Sequence, residues 1–182
     1  MSQNNYNIPI VGSLLKSENH IRGLAKLLNT SQTTIARKVQ ELHKSNIVDF
    51  KQEGKNKVVF LKKSLEAKQY AYHVETQKLL ETLRKHPNLR RIIELIKKNE
   101  KINLAILFGS YAKDIARKES DIDVYIDTTD KKLKDEVELI DSKISVKIGK
   151  YNRESLLIKE IEKNHVIIKG IEIYYEKNKF FD

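Results

Sequence analysis

The sequence contains no cysteine and no tryptophan, one methionine, two prolines and six glycines in 182 residues. Without cysteine there are no disulfides and no thiolate metal ligands, and a reducing cytoplasm is the expected compartment. No apolar run approaches the ~20 residues needed to span a bilayer, so no membrane partner is expected. The first residues, MSQNNYNIPI, lack a basic stretch followed by an apolar core and do not read as a signal peptide. The five histidines are scattered without metal-ligand spacing, and His165 reads as a structural residue.

What remains is a charged, globular composition. Hydrophobic residues make up 40% and charged residues 33% of the chain, which suits folded domains rather than a disordered chain. The length allows one large domain or two small ones. The formal charge is +10, and it is unevenly spread. Residues 1–64 hold 11 Lys/Arg and 4 Asp/Glu, against 24 and 21 in the rest. An anionic partner for the N-terminal part, nucleic acid first, is the reading this favours; a general lysine richness of the source proteome is the plainer one.

The N-terminal third reads as helix, helix, then two strands. IPIVGSLLKS is an apolar helical segment, and HIRGLAKLLN follows with Ile21, Leu24, Leu27 and Leu28 on one face. In TSQTTIARKVQELHKSNIV, Ser31 is a good N-cap. Ile35, Val39 and Leu42 recur there at helical spacing. Gln32, Thr33, Thr34, Arg37 and Lys38 lie on the opposite side. IVDFKQEGKNKVVFLKK then reads as a β-ribbon around a glycine-containing turn, Glu53 to Asn56. Over residues 8–63 this order resembles a winged helix-turn-helix domain. The resemblance implies binding of double-stranded DNA, with Gln32, Thr33, Thr34, Arg37 and Lys38 on a recognition helix. Lys51, Lys55, Asn56 and Lys57 on the wing would lie near the phosphate backbone. A small helical domain with an ordinary solvated face, or a protein-binding winged helix, are the other readings.

Residues 64–98 read as helical, with Leu65, Tyr72, Leu79, Leu80 and Leu83 in the first part. Pro87 interrupts them and opens a second helix, PNLRRIIELIKKN. The expected organisation is a DNA-binding domain over 1–63, a helical linker or dimerisation arm over 64–87, and a second domain over 88–182. Homodimerisation is open.

The second domain carries the most informative stretch, LFGSYAKDIARKESDIDVYID, Leu107 to Asp127. INLAILF reads as a buried strand that stops at Gly109, SYAKDIARK as a short helix, and SDIDVYIDT as another strand. Side chains alternate along a strand, so Asp121 and Asp123 share one face while Ile122, Val124 and Ile126 share the other. Two carboxylates this close repel unless a cation lies between them. Mg²⁺, or Mn²⁺, suits such hard oxygen ligands and is commonly held by one or two carboxylates plus substrate phosphates. The Gly109-Ser110 turn at a helix start offers backbone N–H groups and a hydroxyl to phosphate.

Gly109, Ser110, Ala112, Lys113, Ser120, Asp121 and Asp123, with both flanking strands, closely resemble the signature of minimal nucleotidyltransferases of the DNA polymerase β-like superfamily, over about residues 88–177. The fold implied is α+β, a small mixed sheet flanked by helices. The implied chemistry is transfer of a nucleoside monophosphate from a metal-bound nucleoside triphosphate to an acceptor hydroxyl. Asp121 and Asp123 would be the metal and catalytic carboxylates. Gly109 and Ser110 would hold the β- and γ-phosphates, with Lys113 or Lys118 adding positive charge. Minimal nucleotidyltransferases are often paired with a small helical partner protein, which is a third possibility beside enzyme and nucleotide-sensing regulator.

Two positions depart from the pattern. Asp114 stands where a glycine is common. The strand expected at Lys143–Lys150 offers Ser145, Lys147 and Gly149 on one face, where active relatives place a third carboxylate. Glu138 and Asp141 are expected on the helix before it. Asp127 shares the face of Asp121 and Asp123 but lies further along the strand.

Overall fold

The computed structural model describes residues 6–54 and 56–182. The chain divides into two compact units, Met1–Val74 with Phe181–Asp182, and Glu75–Phe180.

The first unit begins with α1 (Asn7–Leu14), a two-residue strand β1 (Asn19–His20), α2 (Ile21–Leu27) and α3 (Gln32–Lys44). Two strands follow, β2 (Val48–Glu53) and β3 (Asn56–Leu61). α3 forms where expected: the Thr34 backbone N–H donates to Ser31 Oγ at 3.0 Å, and Ile35, Val39 and Leu42 are buried on one stripe. These three pack with Ile10, Val11, Leu24, Ile47, Val48 and Val59 in one apolar core. Leu27, expected on the core face of α2, is 62% exposed instead. α2 ends at Leu27 with Leu28 as its C-cap, and Ile21, Leu24 and Leu28 supply the packing on the core while Leu27 turns away from it. β2 and β3 pair antiparallel from Val48↔Leu61 to Glu53↔Asn56, with Gly54 at a φ of +58° in the turn. β1 adds a third strand on the other edge of β3, which the sequence pattern did not signal.

α4 (Leu65–Lys85) contributes to both units. Ala67 and Val74 are buried in the first core, and Leu79 in the second. Leu65 and Leu80 are exposed. α5 (Leu89–Lys98) follows Pro87.

The second unit is built on a four-stranded sheet of order β6-β5-β4-β7, comprising β4 (Ala105–Leu107), β5 (Ile122–Asp127), β6 (Ile144–Gly149) and β7 (Val166–Lys169). β5 and β6 are parallel, whereas β4 runs antiparallel to both β5 and β7. The helices are α6 (Gly109–Ala112), α7 (Lys131–Glu138), α8 (Leu156–Lys163) and α9 (Ile171–Asn178). This is a mixed α/β fold with a small mixed sheet. One sheet face, through Ala105, Leu107, Ile122, Val124, Ile126, Val146 and Ile168, shares a core with Leu89, Ile92, Ile93 and Ile96 of α5 and Leu133 and Val137 of α7. Each of the buried Val, Leu and Ile side chains among them contributes about 1.5–3 kcal/mol relative to exposure. The other face carries Tyr125, whose ring meets Tyr151 at 6.3 Å, and Tyr151 in turn meets Tyr174 of α9 at 6.0 Å. The C-terminal apolar segment joins the sheet as the edge strand β7 and then turns into α9.

Candidate functional site

Asp123 lies in β5 two residues after Asp121, on the same face as Tyr125 and Asp127 and opposite the apolar core. β4 brings the Gly-Ser turn to it. The Phe108 backbone N–H donates to the Asp123 carbonyl at 2.9 Å, which fixes the end of β4 against the start of β5. Gly109 follows with a φ of +67°, and a β-carbon there would collide with the Asp123 carboxylate. Glycine is therefore favoured at 109 by its backbone conformation and required by the side chain resting on it. Ser110 is half-buried in the first turn of α6.

The short helix expected over residues 110–118 is one turn only. Asp114 adopts a left-handed conformation, φ +58°, and ends it. Its carboxylate turns to Lys85 Nζ at 2.5 Å and His86 Nε2 at 3.9 Å, and the Lys85 ammonium holds it below the usual carboxylate range. The additional negative charge at this position is thus tied to α4. Ser120 shapes the next turn by accepting a hydrogen bond from the Arg117 backbone N–H at 2.9 Å.

Electrostatically, the site begins with repulsion. Burial, then the charge of Asp121, raises the proton affinity of Asp123 above the ordinary range. The Glu160 carboxylate adds to this, while the Lys147 and Lys113 ammonium groups oppose it. Lys147 lies on β6, where Tyr125↔Lys147 and Asp123↔Ser145 are register partners. No acid stands on that face of β6. Glu138 ends α7 and accepts from the Val146 backbone N–H at 2.9 Å. Asp141, expected on α7, lies in the turn after it and accepts from the Lys143 backbone N–H at 2.9 Å. Asp127 is held: Oδ1 accepts from the Tyr151 N–H at 2.9 Å and Oδ2 pairs with Lys177 at 2.9 Å.

Of the two lysines expected to face phosphate, Lys113 is ion-paired with Glu160 of α8 at 3.0 Å. Lys118 is exposed, and its backbone carbonyl accepts from Lys143 Nζ at 2.7 Å. Glu160 is the site residue that sequence reasoning missed. It lies 47 positions from Lys113 on a helix with no motif, so no local pattern announces it.

Among the described residues, no group of three or more His, Cys, Asp or Glu could hold a metal ion. The residues present nonetheless fit a divalent cation completed by substrate oxygens. They supply two like-charged oxygen donors, one of them partly buried and destabilised in its ionised form, beside a glycine turn kept open by that carboxylate.

On the first unit, Gln32, Thr33 and Arg37 are exposed on α3. Thr34 is half-buried, with Oγ1 2.8 Å from Ser31 Oγ. Arg37 and Lys38 share Glu41, at 3.1 and 2.7 Å. Lys51 bridges Glu18 and Glu53, and Lys57 lies 3.9 Å from the centroid of the Phe50 ring. Lys55 and the side chain of Asn56 lie outside the described residues. His165 is nearly buried, with Nδ1 3.0 Å from the Ile161 carbonyl and Nε2 3.5 Å from Glu75. No helix among the described residues is long and apolar enough to cross a membrane.

No curated protein and no solved structure matches the chain. Residues 90–179 match the family model described as "Polymerase beta, Nucleotidyltransferase", a segment that contains all of β4 to α9 and both aspartates. Over that segment the chain is similar to the polymerase β nucleotidyltransferase family.

Proposed function

We propose that the C-terminal domain binds a divalent metal with a nucleoside triphosphate and transfers a nucleoside monophosphate to an acceptor, and that the N-terminal unit binds double-stranded DNA. One observation carries the first part: the Asp123 carboxylate rests on Gly109, so a metal-ligating acid and a phosphate-approachable turn are adjacent. Asp121 and Asp123 would hold Mg²⁺ or Mn²⁺. The ion supplies charge neutralisation of the triphosphate and of the transition state. Gly109 and Ser110 orient the phosphate chain, Lys113 and Lys147 are the cations felt at Asp123, and Lys118 would add charge from the following turn. Relief of the Asp121–Asp123 repulsion makes the ion's binding favourable.

A second reading is favoured by a specific observation. The face of β6 that lies beside Asp123 presents Lys147 in place of an acid. A site so built supports binding better than turnover, and the protein would then be a nucleotide-responsive DNA-binding regulator. A small helical protein partner, either modified or neutralised, is compatible with both.

The test is incubation with ATP labelled at the α-phosphate, Mg²⁺ and a cell lysate as acceptor source. The wild type and the Asp121→Ala/Asp123→Ala variant are compared. Label transferred by the wild type alone supports the enzyme. Aspartate-dependent nucleotide binding without transfer supports the regulator, and no aspartate-dependent binding overturns both. For the N-terminal unit, Arg37→Ala should weaken DNA binding and lower the salt slope by about 1 if Arg37 meets phosphate. An unchanged slope and affinity would remove Arg37 from the interface.

A further inference from the structure

The Lys113–Glu160 ion pair is left unexplained by the motif. Lys113 follows α6 directly, and its ammonium is 3.0 Å from Glu160 Oε1 on α8. Both side chains are partly exposed, 38% and 55%, so the pair is not a buried element of the core. A surface pair of this kind is worth only about 0.2–1 kcal/mol. The Lys113 backbone N–H donates to the Gly109 carbonyl at 3.1 Å, so the pair is anchored one turn from the Gly-Ser turn. Lys113 is thus held near the site by a weak, replaceable partner.

Resting on the nucleotide-binding reading above, we propose that Glu160 is an exchangeable counter-ion. It holds Lys113 while the site is empty, and surrenders it to a phosphate oxygen of the incoming triphosphate. The physical reason is competition for one ammonium group. A polyphosphate carries more charge than a carboxylate and offers several acceptor oxygens to the same three N–H donors. Glu160 is a positioning residue in this scheme. It keeps Lys113 pointed across the site between substrate encounters, at the cost of some affinity. The exchange also couples α8 to the Gly-Ser turn, because α8 loses its tie to residue 113 when a polyphosphate is bound.

The coupling makes a sign prediction that a simple ligand role would reverse. Glu160→Gln removes the competitor, so Mn²⁺ with inorganic tripolyphosphate should bind about two- to fivefold more tightly than to wild type, as expected for loss of a half-exposed pair. A metal-ligating Glu160 would give weaker binding in the same variant. In a Lys113→Met background, Glu160→Gln should change nothing. If it still tightens binding there, Glu160 acts by plain repulsion of phosphate and the exchange is overturned. Raising the salt concentration should shrink the wild-type difference, because exposed charges are screened. Mn²⁺ alone, titrated against wild type and Asp121→Ala/Asp123→Ala, separates the two levels. Loss of aspartate-dependent Mn²⁺ binding overturns the site reading. Intact Mn²⁺ binding with no tightening in Glu160→Gln overturns the exchange only.

Discussion

The two ends of β5 carry acids of opposite character on one face. At its C-terminal end, Asp127 is fully engaged, by a backbone N–H and by Lys177. At its N-terminal end, Asp123 rests on a glycine, next to Asp121, and holds its proton more tightly than an ordinary aspartate. Four residues separate two uses of the same side chain. Where folding supplies donors and a counter-charge, the carboxylate is structural. Where folding supplies burial and a like charge, the deficit is left for a ligand to fill.

The largest expected effect breaks the N-terminal end through its glycine. Gly109→Ala forces a β-carbon into a left-handed backbone, costing about 1–3 kcal/mol, and drives it into the Asp123 carboxylate. The thermal midpoint should fall, and aspartate-dependent Mn²⁺ binding should vanish even well below that midpoint. The matched change at the other end is Gly149→Ala. Gly149 is the register partner of Asp127, and a β-carbon there meets nothing within 4 Å. It should shift stability by about 0.5 kcal/mol or less and leave Mn²⁺ binding alone. Equal behaviour of the two variants would remove the close approach of Asp123 as the reason for glycine at 109.

The acids themselves should respond with opposite signs. Asp127→Ala strips partners from Lys177 and the Tyr151 N–H, and should destabilise the domain by about 2 kcal/mol in denaturant titration. Metal binding should survive. Asp123→Asn relieves repulsion and should stabilise the metal-free protein slightly, by about 0.5 kcal/mol, while abolishing metal binding. Destabilisation by Asp123→Asn would mean that the carboxylate has a structural partner after all.

How much of this was legible in the sequence follows the range of each interaction. The Ser31 cap and the stripe of Ile35, Val39 and Leu42 are set by neighbours within a few residues, and the pattern showed both, whereas Asp121, expected on a strand face with Asp123, precedes β5, which starts at Ile122. Leu27 misled because the packed face of α2 runs through Ile21, Leu24 and Leu28 and leaves Leu27 to solvent. Asp114 stands where a glycine is common, and the charge it brings is met by Lys85 from 29 positions away. Asp127 was ambiguous until Lys177 and Tyr151 were brought to it by the fold. Glu160 was silent for the same reason. Residue identity announces a charge, and only tertiary structure supplies its partner.

The smallest effect is a pH dependence that sharpens the same contrast. Asp123 is raised in the folded state relative to the unfolded chain. Between its ordinary value and the raised one, the native state therefore binds the extra proton, and stability falls as pH rises through that window. The stabilising contribution is present at the acid end and is lost above the raised value. Asp123→Asn should lack this component, so the wild-type-minus-variant stability difference should fall as pH rises above the ordinary aspartate value of about 3.8. Saturating Mn²⁺ should invert it, since an ion bound to the carboxylate favours the ionised form. A wild-type-minus-variant difference that rises with pH in the metal-free protein would show that Asp123 is stabilised as an anion by the fold, and the distinction between the two ends of β5 would then be lost.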